Sequence, residues 1–114
     1  MMNNSYTIQL DDFDPQVLEA SHTRPVLVDF WADWCGPCRV ISPTLEQLIH
    51  EYTGQIALAK LEVDEGENMK LAGRYQVRGF PTVILFKDGK ELGRFSGAKP
   101  KSLIKEFINS HLNI

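Results

Sequence analysis

The stretch WADWCGPCRV, residues 31–40, holds both cysteines of the chain, three positions apart, with Gly36 and Pro37 between them and Trp34 directly before the first. Upstream, PVLVDFWA (residues 25–32) is almost wholly apolar, the pattern of a strand covered on both faces. Downstream the period changes: Ile41, Leu45, Leu48, Ile49 and Tyr52 follow one side of a helix, and Gly54 stands where a helix commonly stops. Pro43 falls inside this pattern and predicts a kink. The cysteines thus lie just beyond the carboxyl end of a central strand and at the amino end of a long helix. Open α/β sheets place their active sites at that edge.

Residues three apart on a helix are neighbours, so Cys35 and Cys38 can come within the roughly 4.4–6.8 Å between Cα atoms that a disulfide needs. A helix amino terminus gathers unpaired N–H groups and positive potential, which favours thiolate over thiol. Lowering a thiol pKa by about 1.5 units from roughly 8.5 takes about 2 kcal/mol, the upper limit of what a helix terminus supplies. A hydrogen bond from the second thiol is the natural supplement. This assigns Cys35, nearer the tip, as the exposed nucleophile and Cys38, one turn in, as the resolving thiol. Pro37 suits a first-turn position, where no backbone donor is needed.

Three uses compete for such a pair. As a permanent staple it would close a four-residue loop and remove only about 2 kcal/mol of unfolded-state entropy. As a metal site it offers two of the four ligands that structural zinc takes, and His22, His50 and His111 lie in unrelated segments, so no metal is expected. Thiol-disulfide exchange is the use that the position favours.

Asp29 interrupts the apolar run VLVDFW. In a strand covered on both faces it points into the interior, where an ionised carboxylate is costly. Either hydrogen bonds satisfy it for structural reasons, or burial raises its pKa so that it exchanges a proton with Cys38, directly or through a water. Lys60, inside the otherwise apolar ALAKLEV, either turns inward to pair with Asp29 or snorkels to solvent.

Elsewhere the two periodicities alternate. Asp14 and Pro15 read as an N-cap and first-turn proline of a short helix with Phe13, Val17 and Leu18 on its apolar side. QIALAKLEV (residues 55–63) reads as a second inner strand, followed by a weak helix carrying Met69, Ala72 and Tyr75. TVILFK (82–87) and KELGRF (90–95) flank Asp88-Gly89, a dipeptide favoured in two-residue hairpin turns, so these strands are antiparallel. Pro100 opens a last helix with Leu103, Ile104, Phe107, Ile108 and Leu112 as its buried stripe. The pattern is that of a small mixed sheet with helices on both faces.

The 114 residues suffice for one domain, residues 1–114, and not for two of ordinary size. The net charge of -3 gives no reason to expect a polyanionic partner. Basic residues gather in the second part, 9 Lys/Arg against 3 Asp/Glu over residues 69–114, but they are spaced singly through strands and a helix, so no nucleic-acid surface is expected. The opening MMNNSYTIQL lacks a secretory pattern and no run is long enough to span a membrane, so a cytoplasmic location is expected. In that reducing setting a cysteine pair is redox-active or metal-binding rather than a staple.

VDFWADWCGPC, then AKLEVD, RGFPT, FKDG and SGA, in this order and spacing, resemble the thioredoxin family across essentially the whole chain. The resemblance implies a thioredoxin-like α/β fold with a mixed five-stranded central sheet flanked by four helices. It implies that Pro81 follows a cis peptide bond, and that the backbone of Phe80 pairs with an extended client segment lying across Cys35. Trp34, Gly36, Pro37, Phe80, Gly97 and Ala98 match the flat apolar contact surface. Phe80 and Ser96 differ from the commoner aliphatic residues, and Arg39 replaces the common Lys.

The implied activity is that of a general protein-disulfide reductase, acting as a monomer through a reversible Cys35–Cys38 disulfide, with Cys38 helped by Asp29. With no dinucleotide-binding segment, the chain binds no cofactor, and electrons come from thioredoxin reductase, the partner that uses NADPH. Two rivals are a disulfide oxidase or isomerase on the same fold, against which the Gly36-Pro37 dipeptide argues, and a client-binding or chaperone module that uses the apolar patch without exchange.

Overall fold

The computed structural model of the protein describes residues 4–114. The reading of the opening segment as free of a secretory pattern begins at residues 1–3, outside the described range. The elements are β1 (Ser5–Thr7), an irregular helical segment, β2 (Val26–Trp31), α1 (Gly36–Glu51), β3 (Ala57–Glu62), α2 (Met69–Arg74), β4 (Thr82–Lys87), β5 (Lys90–Ser96) and α3 (Lys101–Leu112). With the irregular segment this makes four helices around a five-stranded sheet of order β1-β3-β2-β4-β5. Strand β2 is central as expected, parallel to β3 and antiparallel to β4. The edge strand β1, parallel to β3, is too short for a periodicity to reveal it.

Each face of the sheet carries its own core. Leu27, Leu58, Val83 and Leu85 meet Ile41, Leu45, Leu48 and Ile49 of α1 and Ile104 and Ile108 of α3. On the other face Val28, Phe30, Ala59 and Ile84 meet Phe13 and Val17 of the first helical segment and Leu71 and Ala72 of α2. The rings of Phe13, Tyr75 and Phe86 lock that layer, with centroids 5.4–5.5 Å apart. Such pairs contribute about 0.5–1.5 kcal/mol each beyond their buried area. Among the described residues no helix is long and apolar enough to cross a membrane.

Several local expectations need correction. Asp14 is not an N-cap. A 3-10 turn, Leu10–Asp12, runs straight into a π turn, Asp14–Glu19, so Phe13 already has helical angles (φ -62°, ψ -50°) and no extended residue remains to be capped. Met69 and Leu103 are about half exposed, since α2 buries Leu71 and Ala72 and α3 buries Ile104 and Ile108. Pro43 does stand inside α1, Gly36–Glu51, and leaves the Arg39 carbonyl without its helical donor, the condition for the expected kink.

The Asp88-Gly89 turn forms as predicted, with φ of 53° and 77°. It is pinned to the first helical segment: Gly89 N–H donates to Ser21 Oγ (2.8 Å) and Asp88 N–H to the Ser21 carbonyl (2.9 Å). A Cβ on Gly89 would stand 3.1 Å from His22 Nε2, whereas one on Gly73 of α2 would meet nothing within 4 Å. Gly89→Ala should therefore lower stability in urea denaturation by about 1–2 kcal/mol. Gly73→Ala should raise it by roughly 0.5–1 kcal/mol. Changes of the same sign in both would contradict this account.

Candidate active site

Strand β2 ends at Trp31, and the chain turns over the sheet edge through Ala32, whose carbonyl accepts from Cys35 N–H at 3.1 Å. Cys35 is then the N-cap of α1: its backbone is extended (φ -92°, ψ 109°), and its Sγ accepts a hydrogen bond from Cys38 N–H at 3.2 Å. Sulfur here takes the place of the usual Ser, Thr or Asp oxygen at a helix start. Pro37 occupies the first turn, where its missing donor costs nothing. Cys35 and Cys38 are joined in a disulfide with Cα atoms 5.3 Å apart.

The exposure expected of Cys35 is not found. Only 4% of its surface is accessible, against 2% for Cys38. Both sulfurs belong to the core cluster that includes Ala32, and Phe80 packs against that cluster. Cys38 also lines a cleft of about 380 Å³ with Trp31, Asp33, Arg39, Ser42, Pro43 and Lys60. Arg39 is held outward by the Asp33 carbonyl, to which it donates at 2.8 Å.

Asp29 is buried, and its Oδ1 has no hydrogen-bond partner among the described residues. Alternation along β2 puts it on the face of Leu27, under α1. Burial pushes its carboxyl up to about 7, against the attraction of the Lys60 ammonium and with a smaller upward push from the Glu46 carboxylate. Lys60 is Asp29's register partner across β2 and β3. Its ammonium does not pair with Asp29, and it does not run free into solvent either: it bonds Glu46 Oε1 of α1 at 2.6 Å. Both alternatives for Lys60 thus give way to a third. The one sign of Glu46 in the sequence is that it follows Cys38 and Ser42 at four-residue steps, a spacing that puts all three on one helix face.

Trp34, Phe80, Pro81 and Gly97, expected in the contact surface, are linked to one another beside the cysteines. Trp34 is 68% exposed, stands edge-on to Phe80 with centroids 6.0 Å apart, and donates its indole N–H to Asp64 at 2.6 Å. Gly36, Pro37 and Ala98 are exposed and Gly97 is half-buried. The Phe80–Pro81 peptide is cis, as the resemblance implies. Pro81 itself is buried, and its carbonyl accepts from Gly97 N–H at 2.9 Å. Beside Trp34 the corner is acidic. Partial burial, then the neighbouring carboxylates of Glu65, Asp33 and Asp64, hold Glu62 above the usual carboxylate range. Among the described residues no group of three or more His, Cys, Asp and Glu side chains is placed to hold a metal ion.

Residues 4–110 match the family described as Thioredoxin. The chain is 43% identical to the thioredoxin of Chlorobaculum thiosulfatiphilum, over 89% of this chain and 90% of that one. It is 44% identical to the thioredoxin of Acidithiobacillus ferridurans, over 90% of this chain and 91% of the relative. Against the thioredoxin of Staphylococcus aureus the identity is again 44%, over 89% of this chain and 91% of the other.

The raised Asp29 pKa links stability to pH. Between the ordinary carboxyl value of 3.8 and about 7 the folded state binds a proton that the unfolded state releases, so stability is highest below this window and falls as pH rises through it. Asp29→Asn should remove this slope between about pH 4 and 7 in denaturation curves of the oxidised protein. An unchanged slope would place its origin elsewhere.

Proposed function

This chain belongs to the thioredoxin family and is a thioredoxin-type dithiol-disulfide reductase, and from that premise we propose that it reduces exposed disulfides in a broad set of client proteins. The whole chain acts as one domain and as a monomer, in a reducing compartment such as the cytoplasm. The observation that carries this reading is the Cys35–Cys38 disulfide at the amino terminus of α1, with the buried carboxyl of Asp29 on the sheet face beneath that helix.

In the reduced protein the cap position of Cys35 favours its thiolate, because the first-turn N–H groups and the helix dipole stabilise a negative charge there. The Cys35 thiolate attacks one sulfur of a client disulfide. A mixed disulfide forms, and the client's other sulfur leaves as thiolate. Cys38 then loses its thiol proton to the Asp29 carboxylate and attacks Cys35 Sγ. The Cys35–Cys38 bond forms, the second client sulfur leaves as thiolate, and the client has gained two electrons. With its carboxyl pushed up to about 7, Asp29 is matched to accepting a proton near neutrality.

Client recognition falls to the rim. Trp34, Gly36, Pro37 and Ala98 present apolar and backbone surface beside the disulfide, and the Phe80 backbone before cis-Pro81 lies past the end of the β4 ladder, where an extended client segment can add as a strand. Main-chain pairing reads little sequence, so specificity is broad. The electrons are restored by thioredoxin reductase, and NADPH is used only by that partner.

The test is turnover of insulin disulfides with NADPH and a purified thioredoxin reductase. Cys35→Ser should abolish it, and Cys38→Ser should accumulate a mixed disulfide with the client on Cys35. Substantial turnover by Cys35→Ser would refute the assignment, and a strongly oxidising potential for the pair would favour an oxidase.

A further inference from the structure

The carboxylate that binds Lys60 is itself held from two sides. Glu46 Oε1 accepts from Lys60 Nζ and from Ser5 Oγ, each at 2.6 Å. The hydrogen bonds from Lys60 and Ser5 outweigh partial burial and keep Glu46 below the usual carboxylate range, so it stays ionised. Lys60 starts directly opposite Asp29 in the β2–β3 register, and four rotatable carbons separate its ammonium from the backbone. Its head can therefore lie either outward, toward α1, or over Asp29. Among the described residues the charges that act on Asp29 are the Lys60 ammonium and the Glu46 carboxylate; its β4 partner is Val83, and α3 brings Ile104 and Ile108 to this face.

We propose that Glu46, fixed by Ser5 of β1, is a positioning residue that holds the Lys60 ammonium off Asp29 and so leaves the buried carboxyl free to take and return a proton. An ammonium in direct contact would lower a carboxyl by about 1–3 units, and Asp29 would then stay ionised through the neutral range. The consequence for the resolving step rests on the reading of Asp29 as the proton acceptor of Cys38. The hold on Lys60 does not.

The experiment follows the Asp29 carboxyl carbon by NMR in the oxidised full chain as pH is varied. Glu46→Gln should lower the Asp29 titration midpoint by about 1 pH unit. Glu46→Asp, which keeps the charge, should restore it. In a Lys60→Met background the same Glu46→Gln change should shift the midpoint by less than about half as much, because the mobile cation is gone. An unmoved midpoint in Glu46→Gln, or an equal fall with and without Lys60, would overturn the proposal. The pH dependence of client release from the Cys35 mixed disulfide separates the two readings. If the Asp29 midpoint moves and the release profile does not, Glu46 does hold Lys60 and it is the link from Asp29 to Cys38 that fails.

Discussion

Strand β2 is hydrogen-bonded on both sides and buried on both faces, and it runs out at one edge of the sheet. Everything at the site depends on that placement. Because β3 is parallel to β2, its last residue, Glu62, pairs with Trp31 and delivers the turn that carries Asp64 to the same edge. Because β4 is antiparallel, its first residue, Thr82, pairs with Phe30 and brings Pro81 there from the other direction. Ser96 ends β5 opposite Thr82, so Gly97 and Ala98 follow. Four strands of mixed direction thus empty four loops around one point, where α1 begins.

At that point the helix start and the redox centre are the same atoms. Cys35 Sγ caps the Cys38 amide while bonded to Cys38 Sγ, so this sulfur already faces a helix-start donor of the kind that stabilises negative charge. Both cysteines are buried, while Trp34, Gly36 and Pro37 beside them are exposed.

Asp29 shows what this arrangement costs. A carboxyl with an unpartnered buried oxygen destabilises the folded state wherever it is ionised, and Lys60 stands one strand away as a ready counter-ion. The structure spends that counter-ion on Glu46, at a partly exposed site where an ion pair contributes little stability. A carboxyl with a raised pKa is the result, and it is poor for stability once ionised.

The strands β2 to β5, the long helix after the cysteines and the Asp88-Gly89 hairpin were all legible, because each rests on local rules: periodicity, a glycine with positive φ, a proline where no donor is needed. The cysteine spacing alone pointed to a disulfide at a helix start, and Asp29 stood out as a charge in an apolar run. What the chain order cannot express is which distant groups meet. The burial of Cys35, the buried position of Pro81, the run-together turns around Phe13 and the outward faces of Met69 and Leu103 all follow from how layers pack. Most of all, the sequence around Lys60 points only to Asp29 or to solvent. Its actual partner lies on α1, 14 residues back in sequence, and is fixed by a serine on a three-residue edge strand. Local sequence determines element type because backbone and side-chain sterics act over a few residues, while the pairing of charges is decided only when the folded sheet sets them a few ångströms apart.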